Sequence, residues 1–469
     1  MHIQQIYTGC LSEAAYYIES NGQAAIIDPM RDVEPYLQLA RERNASIKYI
    51  FETHFHADFV SGHIDLGKAT GAPIIYGPET KANFPVYVAK DGENFSMGDI
   101  SIQVLHTPGH TLESACYLLK DETGKDYAVF TGDTLFVGDV GRPDLAQQGN
   151  ELTTEDLAGM LYESLKTKIV TLADEVIVYP AHGSGSSCGK NLGPQTQSTI
   201  GEQKQTNYAL LAANKEEFIK AVTEGIVAPP QYFPVNAMIN KQGYESLDAI
   251  LQNVVPLTVT AFKEQAQKDG MIILDTRNAN VFINGYVPGS ISIGLEGRFA
   301  EWAGTLLPFD KTILLITDEG QEKESAIRLA RVGFEHFAGY LAGSFEAWQK
   351  AGEQIDIIIN VDADEVAMDI PFDEKLIIVD VRKEPEFADG HVKDAVNIPL
   401  DTLTDPASMA NINDTDNLYI HCAGGYRSVI ACSLFKREGI HNIRNINGGF
   451  SALKEIGTIE FEKSVEALN

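Results

Sequence analysis

The chain is short of cysteine and of positive charge. Its five cysteines, Cys10, Cys116, Cys188, Cys422 and Cys432, form an odd, scattered set in 469 residues, which argues against a disulfide framework and for reduced thiols in a reducing compartment. Only 36 lysines and arginines stand against 66 acidic residues, a formal charge of −30, so a nucleic-acid backbone would be repelled. An anionic substrate would meet the same field and needs a local cation. No apolar run reaches the roughly 18 residues that a membrane helix requires. The opening MHIQQIYTGC has no basic stretch ahead of an apolar one, so neither a secretory signal nor a membrane association is expected, and a cytoplasmic location is.

What is present is length and pattern. A chain of 469 residues, 44% hydrophobic and 22% charged, suits roughly two to four domains with ordinary cores. Over residues 1–228, β-rich runs at 24–29, 47–54, 127–133 and 175–182 end in polar side chains able to bind a ligand. A helix is expected over 202–224. The prolines Pro229, Pro230, Pro234 and Pro256 then point to a linker over 229–256, because proline removes backbone donors and blocks helix continuation. Beyond it the sequence repeats. Asp275-Thr276-Arg277 recurs as Asp380-Val381-Arg382, Gly285-Tyr286-Val287 as Gly390-His391-Val392, and Gly343-Ser344-Phe345 as Gly448-Gly449-Phe450, each pair 105 positions apart. A repeat of that length suits two small α/β domains, at 257–355 and 356–469, rather than a solenoid.

In the first domain His54, His56 and Asp58 form an H-x-H-x-D cluster after a strand, and three other strand ends supply His110, Asp133 and His182. Alternate residues of an extended segment face the same way, so one metal can meet several of these side chains. The set resembles the metallo-β-lactamase superfamily, particularly its glyoxalase II and persulfide dioxygenase branches, and the resemblance implies an αββα sandwich. Two-metal hydrolases of that superfamily read H-x-H-x-D-H, whereas here the last position is Phe59, which cannot coordinate. The resemblance then implies one Fe(II) per chain, with zinc as a substitute, held by His54, His110 and Asp133, while His56, Asp58 and His182 orient those ligands. Gly141-Arg142-Pro143-Asp144 looks like the G-R-x-D segment of persulfide dioxygenases, and Arg142 is a candidate cation for an anionic substrate.

Near the C-terminus a strand runs into Cys422-Ala423-Gly424-Gly425-Tyr426-Arg427 and then an apolar-periodic helix. Glycines let backbone N–H groups curl toward the sulfur, and the helix start and Arg427 favour a thiolate and then a persulfide. This C-x-x-x-x-R loop resembles the rhodanese active-site loop, with Cys422 as nucleophile, Arg427 beside it, and Gly424 and Gly425 contacting substrate. The first repeat has Thr317-Asp318-Glu319-Gly320 in the equivalent loop, read with aspartate where the nucleophile belongs, so it is expected to be inactive.

Together these resemblances imply α/β and α+β architecture and a persulfide dioxygenase coupled to a sulfurtransferase, acting on low-molecular-weight thiol persulfides, O2 and sulfite or thiosulfate. A homodimer or homotetramer is compatible with such a chain. The alternative is a zinc-dependent glyoxalase II-like thioester hydrolase fused to a sulfurtransferase. Cys188, six residues beyond His182, reads as a small residue of a Gly/Ser loop.

Overall fold

In the computed structural model, which describes residues 1–145, 152–410, 412, 413 and 415–464, the chain divides into two compact units. One is Met1–Ala249 with Leu329–Phe334; the other is Ile250–Arg328 and the chain from Glu335 onward. Among the described residues no helix is long and apolar enough to cross a membrane. The end of the expected 356–469 domain, residues 465–469, lies outside the described residues.

The first unit contains two six-stranded sheets. Strand Glu13–Ser20 is buried on both faces, and its period of two serves two cores. Ala14, Tyr16 and Ile18 join Val104, Tyr117 and Phe130 between the sheets. Ala15 and Tyr17 turn outward to Tyr36, Ala40 and Leu66 on helices Glu34–Glu42 and His63–Thr70. The second sheet repeats the division: Tyr117 and Leu119 face inward, while Cys116, Leu118 and Val129 meet Ala158, Leu161 and Phe218 on outer helices. Helix, sheet, sheet and helix thus stack in that order, the expected αββα sandwich.

Parallel pairing puts several strand ends on one edge of the sandwich. Strand Ser46–Phe51 pairs parallel with Gln23–Ile27 and runs into Thr53 and His54, and strand Asp126–Gly132 pairs parallel with Ile177–Pro180, leading to Asp133 and His182. Two close approaches hold these ends in place. Gly132 has φ +50°, and a Cβ there would lie 2.6 Å from Thr53 Cβ; Gly109 has φ +147°, and a Cβ would lie 2.4 Å from the Leu161 backbone. Neither position can take a side chain without displacing its neighbour.

Two expectations are corrected. The 202–224 helix is two helices, Ile200–Thr206 and Lys215–Thr223, because Asn207 leaves helical geometry to donate to the carbonyls of Phe136 and Asp139, and Asn214 caps the second helix by accepting from the Glu217 N–H. The 229–256 segment is folded as well. It carries helices Phe233–Gln242 and Leu247–Leu251, since Pro234 falls in the first turn, where a missing N–H costs nothing.

The second unit shows the duplication in three dimensions. Each repeat has a five-stranded sheet, and its central pairs are parallel in the same register: Asp275 opposite Ile316, and Asp380 opposite His421. Arg277 binds Asp275 and the Gly285 carbonyl and covers the Phe345 ring at 4.4 Å. Arg382 does the same with Asp380, Gly390 and Phe450, at 3.7 Å from the ring. A buried guanidinium with its carboxylate, carbonyl and aromatic face satisfied is a local staple that both copies keep.

Gly109→Ala should destabilise the first unit by about 3 kcal/mol through backbone strain and overpacking. The thermal unfolding transition of that unit should fall by several degrees while that of the second unit stays in place.

Candidate functional site

Asp28, at the end of strand Gln23–Ile27, is the hub of the first unit's rim. Its carboxylate accepts from the Thr53 N–H at 2.7 Å and the Thr53 hydroxyl at 2.8 Å. With its proton committed to Asp28, the Thr53 hydroxyl accepts from His54 Nδ1, 3.0 Å away. The proton of His54 is therefore on Nδ1, and Nε2 presents a bare lone pair. His110 is fixed in the same state, because its Nδ1 lies 2.8 Å from the Arg142 carbonyl, which can only accept. Burial, followed by the nearby imidazoles of His56, His110 and His182, pushes His54 well below its usual range and keeps it neutral.

These two nitrogens converge on Asp133. His54 Nε2 is 3.9 Å and His110 Nε2 3.4 Å from Asp133 Oδ2, and the three ligand atoms lie within 4.8 Å of one another. Both Asp133 oxygens are buried without a hydrogen-bond partner. Two lone pairs facing an unpartnered carboxylate repel one another unless a cation sits among them, so the donor set fits a metal ion.

His56 belongs to a different set. Its Nε2 is 3.1 Å from Asp28 and 3.4 Å from Glu52, and those three side chains group together rather than with Asp133. Burial disfavours its charge, but Asp28 and Glu52 outweigh that and raise His56 well above its usual range. Phe59, fully buried, lies against the His56 ring with centroids 4.3 Å apart. Asp58 and His182 flank the rim on the other side: His182 Nε2 is 3.4 Å from Asp58 Oδ2 and 3.4 Å from Asp133 Oδ1, and its Nδ1 faces Glu13 and the Ser12 carbonyl.

Arg142 departs from its expected role. Its guanidinium is buried, paired twice with Asp144 at 2.7 and 2.8 Å, and donates to the carbonyls of Ser187 and Val227. The positive charge is cancelled where it stands, and what Arg142 offers the rim is its carbonyl, which orients His110. Cys188 is buried, and its carbonyl accepts the Arg142 N–H. Burial, then Asp58 and Asp133, push its thiol well above the usual range, which holds it protonated in this arrangement.

Sequence reasoning missed three groups here. Asp28 and Glu52 look like ordinary residues at strand ends. Asn240, on the helix that replaces the expected linker, donates to the carbonyls of both His56 and Phe59 and accepts from the Ser61 N–H, clamping the ligand loop from 180 residues away. A strand-to-polar transition at Ile27-Asp28 was the only available signal for Asp28, and Asn240 had none.

In the second unit, strand Asn417–His421 delivers Cys422 to the start of helix Tyr426–Arg437. The Gly425 N–H donates to the sulfur at 3.1 Å, and Gly425, at φ +111°, supplies the turn that a side chain would resist. Gly424 has open space beside it. Arg427 does not point its charge at the sulfur alone. Glu386, missed in the sequence, takes it in a fork at 2.6 and 2.9 Å, and that hydrogen bonding holds the Glu386 carboxyl below its usual range. The expected alignment of the first repeat is also corrected: with Ile316 in register with His421, Thr317 and not Asp318 occupies the position of Cys422, and Glu322 that of Arg427.

The fold and these clusters define a multidomain chain with an α/β sandwich that carries a candidate metal site and a duplicated α/β pair whose second copy carries Cys422. Residues 8–182 match the Metallo-beta-lactamase superfamily, and residues 258–351 and 362–456 match the Rhodanese-like domain. A metallo-beta-lactamase from Staphylococcus aureus is 33% identical, covering 72% of this chain and 98% of its own length with a TM-score of 0.65. The structure of ETHE1 from Myxococcus xanthus is 31% identical, covering 51% and 98%, with a TM-score of 0.45. A probable hydroxyacylglutathione hydrolase of Schizosaccharomyces pombe is 31% identical over 182 residues, which are 38% of this chain and 66% of that protein. The chain spans just under two thirds of the length of the curated relatives it matches. The chain belongs to the metallo-beta-lactamase superfamily, with two rhodanese-like domains following the metallo-beta-lactamase domain.

Glu386→Gln should remove the carboxylate that neutralises Arg427 and expose the thiol to the full guanidinium charge. Alkylation of Cys422 by iodoacetamide at neutral pH should then run a few-fold faster than in the unaltered protein; an unchanged rate would show that the fork does not govern the thiol.

Proposed function

We propose that the first domain is a mononuclear Fe(II) persulfide dioxygenase and the last a sulfurtransferase working through Cys422. The observation that carries this reading is the three-member set of His54, His110 and Asp133, with His56 grouped instead with Asp28 and Glu52 and the non-coordinating Phe59 ring packed against it. His54, His110 and Asp133 would hold the iron, which would supply activation of dioxygen toward a persulfide sulfur, whereas a hydrolase would need only a polarised water. The overall conversion is a neutral persulfide RSSH, O2 and water to the thiol RSH, the sulfite dianion and two protons.

The chain's own residues do the positioning. Thr53 and the Arg142 carbonyl fix both imidazoles in the Nδ1–H form, so no proton must move before they can bind a metal. His182 Nε2 borders the second Asp133 oxygen and, beside it, the Asp58 carboxylate. In the last domain, the Cys422 thiolate attacks the outer sulfur of a persulfide; the donor's S–S bond breaks, and its thiolate leaves. The Gly425 N–H supports the charge on the sulfur. Sulfite, supplied by the first domain, can then take that sulfur from Cys422 to give thiosulfate.

A second reading, a zinc thioesterase, is favoured by two features: His56 Nδ1 and His182 Nε2 are buried without hydrogen-bond partners, and Asp58 is present beside them. The two readings separate cleanly by assay. Persulfide-dependent oxygen uptake should be present in the iron-loaded protein, lost by at least a hundredfold in Asp133→Asn, and retained in Cys422→Ser, which should instead abolish thiosulfate formation. Thioester cleavage without oxygen uptake would establish the hydrolase.

A further inference from the structure

A cavity of about 150 Å3 in the second unit is walled by both repeats. On one side are Gly424, Gly425 and Tyr426 of the Cys422 loop; on the other are Asn280 and Glu296 of the repeat that has no nucleophile. The two walls are tied together, since the Tyr426 hydroxyl donates to the Gly294 carbonyl at 2.9 Å. Gly425 faces both ways: it lines the cavity, and its N–H reaches the Cys422 sulfur. A molecule in this space is therefore separated from the reacting sulfur by Gly425, which touches both.

The lining has one chemical character. It contains several asparagines and the Glu296 carboxylate, and no lysine or arginine. Asn445, only 3% exposed, gives its amide N–H to Asn360, and its Oδ1 has no hydrogen-bond partner. A buried acceptor left unpaired costs free energy until a donor arrives. Glu296, exposed and hydrogen-bonded by Asn278, adds a negative charge to the same space. Arg427, the nearest cation of the loop, is already forked to Glu386. Inorganic sulfur anions gain nothing from such walls, whereas ammonium and amide N–H groups do.

We propose that this cavity receives the amine- or amide-bearing tail of an organic thiol whose persulfide exchanges sulfur with Cys422, and that the inactive repeat thereby selects the thiol. The inference rests on Cys422 being a sulfur carrier. In the step concerned, the Cys422 thiolate bonds to the outer sulfur, the donor's S–S bond breaks, and the leaving thiolate takes up a proton while its tail is held by Asn445 and Glu296. No net oxidation occurs.

The test uses the full chain and Glu296→Lys, an exposed position on the inactive repeat. Cysteamine persulfide, whose tail is an ammonium group, and thiosulfate serve as alternative sulfur donors, with Cys422 persulfide followed by mass spectrometry. KM for cysteamine persulfide should rise about tenfold on losing the charged partner and meeting a like charge, while KM for thiosulfate stays the same or falls. If Cys422 persulfide forms but both KM values move together, or neither moves, the cavity is not the tail site. If no persulfide forms on Cys422 from either donor, the sulfur-carrier reading fails and this inference with it.

Discussion

The rim of the first domain depends on one buried carboxylate, Asp28. It pulls the Thr53 hydroxyl and N–H to itself, and through that hydroxyl it decides which nitrogen of His54 carries the proton. The same carboxylate, with Glu52, holds His56. One side chain thus turns His54 toward Asp133 and keeps its neighbour but one in a different set. The Nε2 lone pairs of His54 and His110 then face a carboxylate that has no hydrogen bond of its own, an arrangement that a cation would relieve. Phe59, an apolar ring with no donor atom, packs against His56 on this rim.

The second unit shows a similar economy with a different result. Both repeats keep the arginine staple that ties the end of the central strand to an aromatic ring, because that staple holds the fold. They differ at the strand that follows, where one presents Thr317 and the other Cys422 above a glycine turn. The first repeat has no cysteine at that position, and its Asn280 and Glu296 border the cavity together with Gly424 and Gly425 of the Cys422 loop. In the proposed reading, the copy without a cysteine acts on which molecules arrive rather than on the reaction itself.

Much of this could be read from residue order. The alternation of apolar runs and polar strand ends placed His54, His110, Asp133 and His182 on one edge, and the 105-residue repetition disclosed the paired domains, because both signals are local in sequence. What stayed hidden was long-range or backbone-based. Arg142 appeared to be a free cation because Asp144, two residues on, gave no sign of its geometry, and the carbonyl that orients His110 has no residue signature. Asn240 clamps the ligand loop from a segment whose prolines suggested a linker; Pro234 proved to be a helix start. Glu386, forked to Arg427, lies 41 positions upstream with nothing in the sequence to link the two. The loop alignment in the first repeat, by contrast, was within reach of the sequence, since the 105-residue offset of the other landmarks already pairs Thr317 with Cys422, as the strand register does.

The central claim, that Asp28, Glu52 and Phe59 leave a three-ligand site for a single metal, is tested most directly by metal stoichiometry. The protein would be loaded anaerobically with excess ferrous iron, freed of unbound metal, and its iron and protein measured together by plasma mass spectrometry and amino-acid analysis. One iron per chain is predicted, falling toward zero in His54→Ala. Two per chain, with His56→Ala removing one of them, would contradict it.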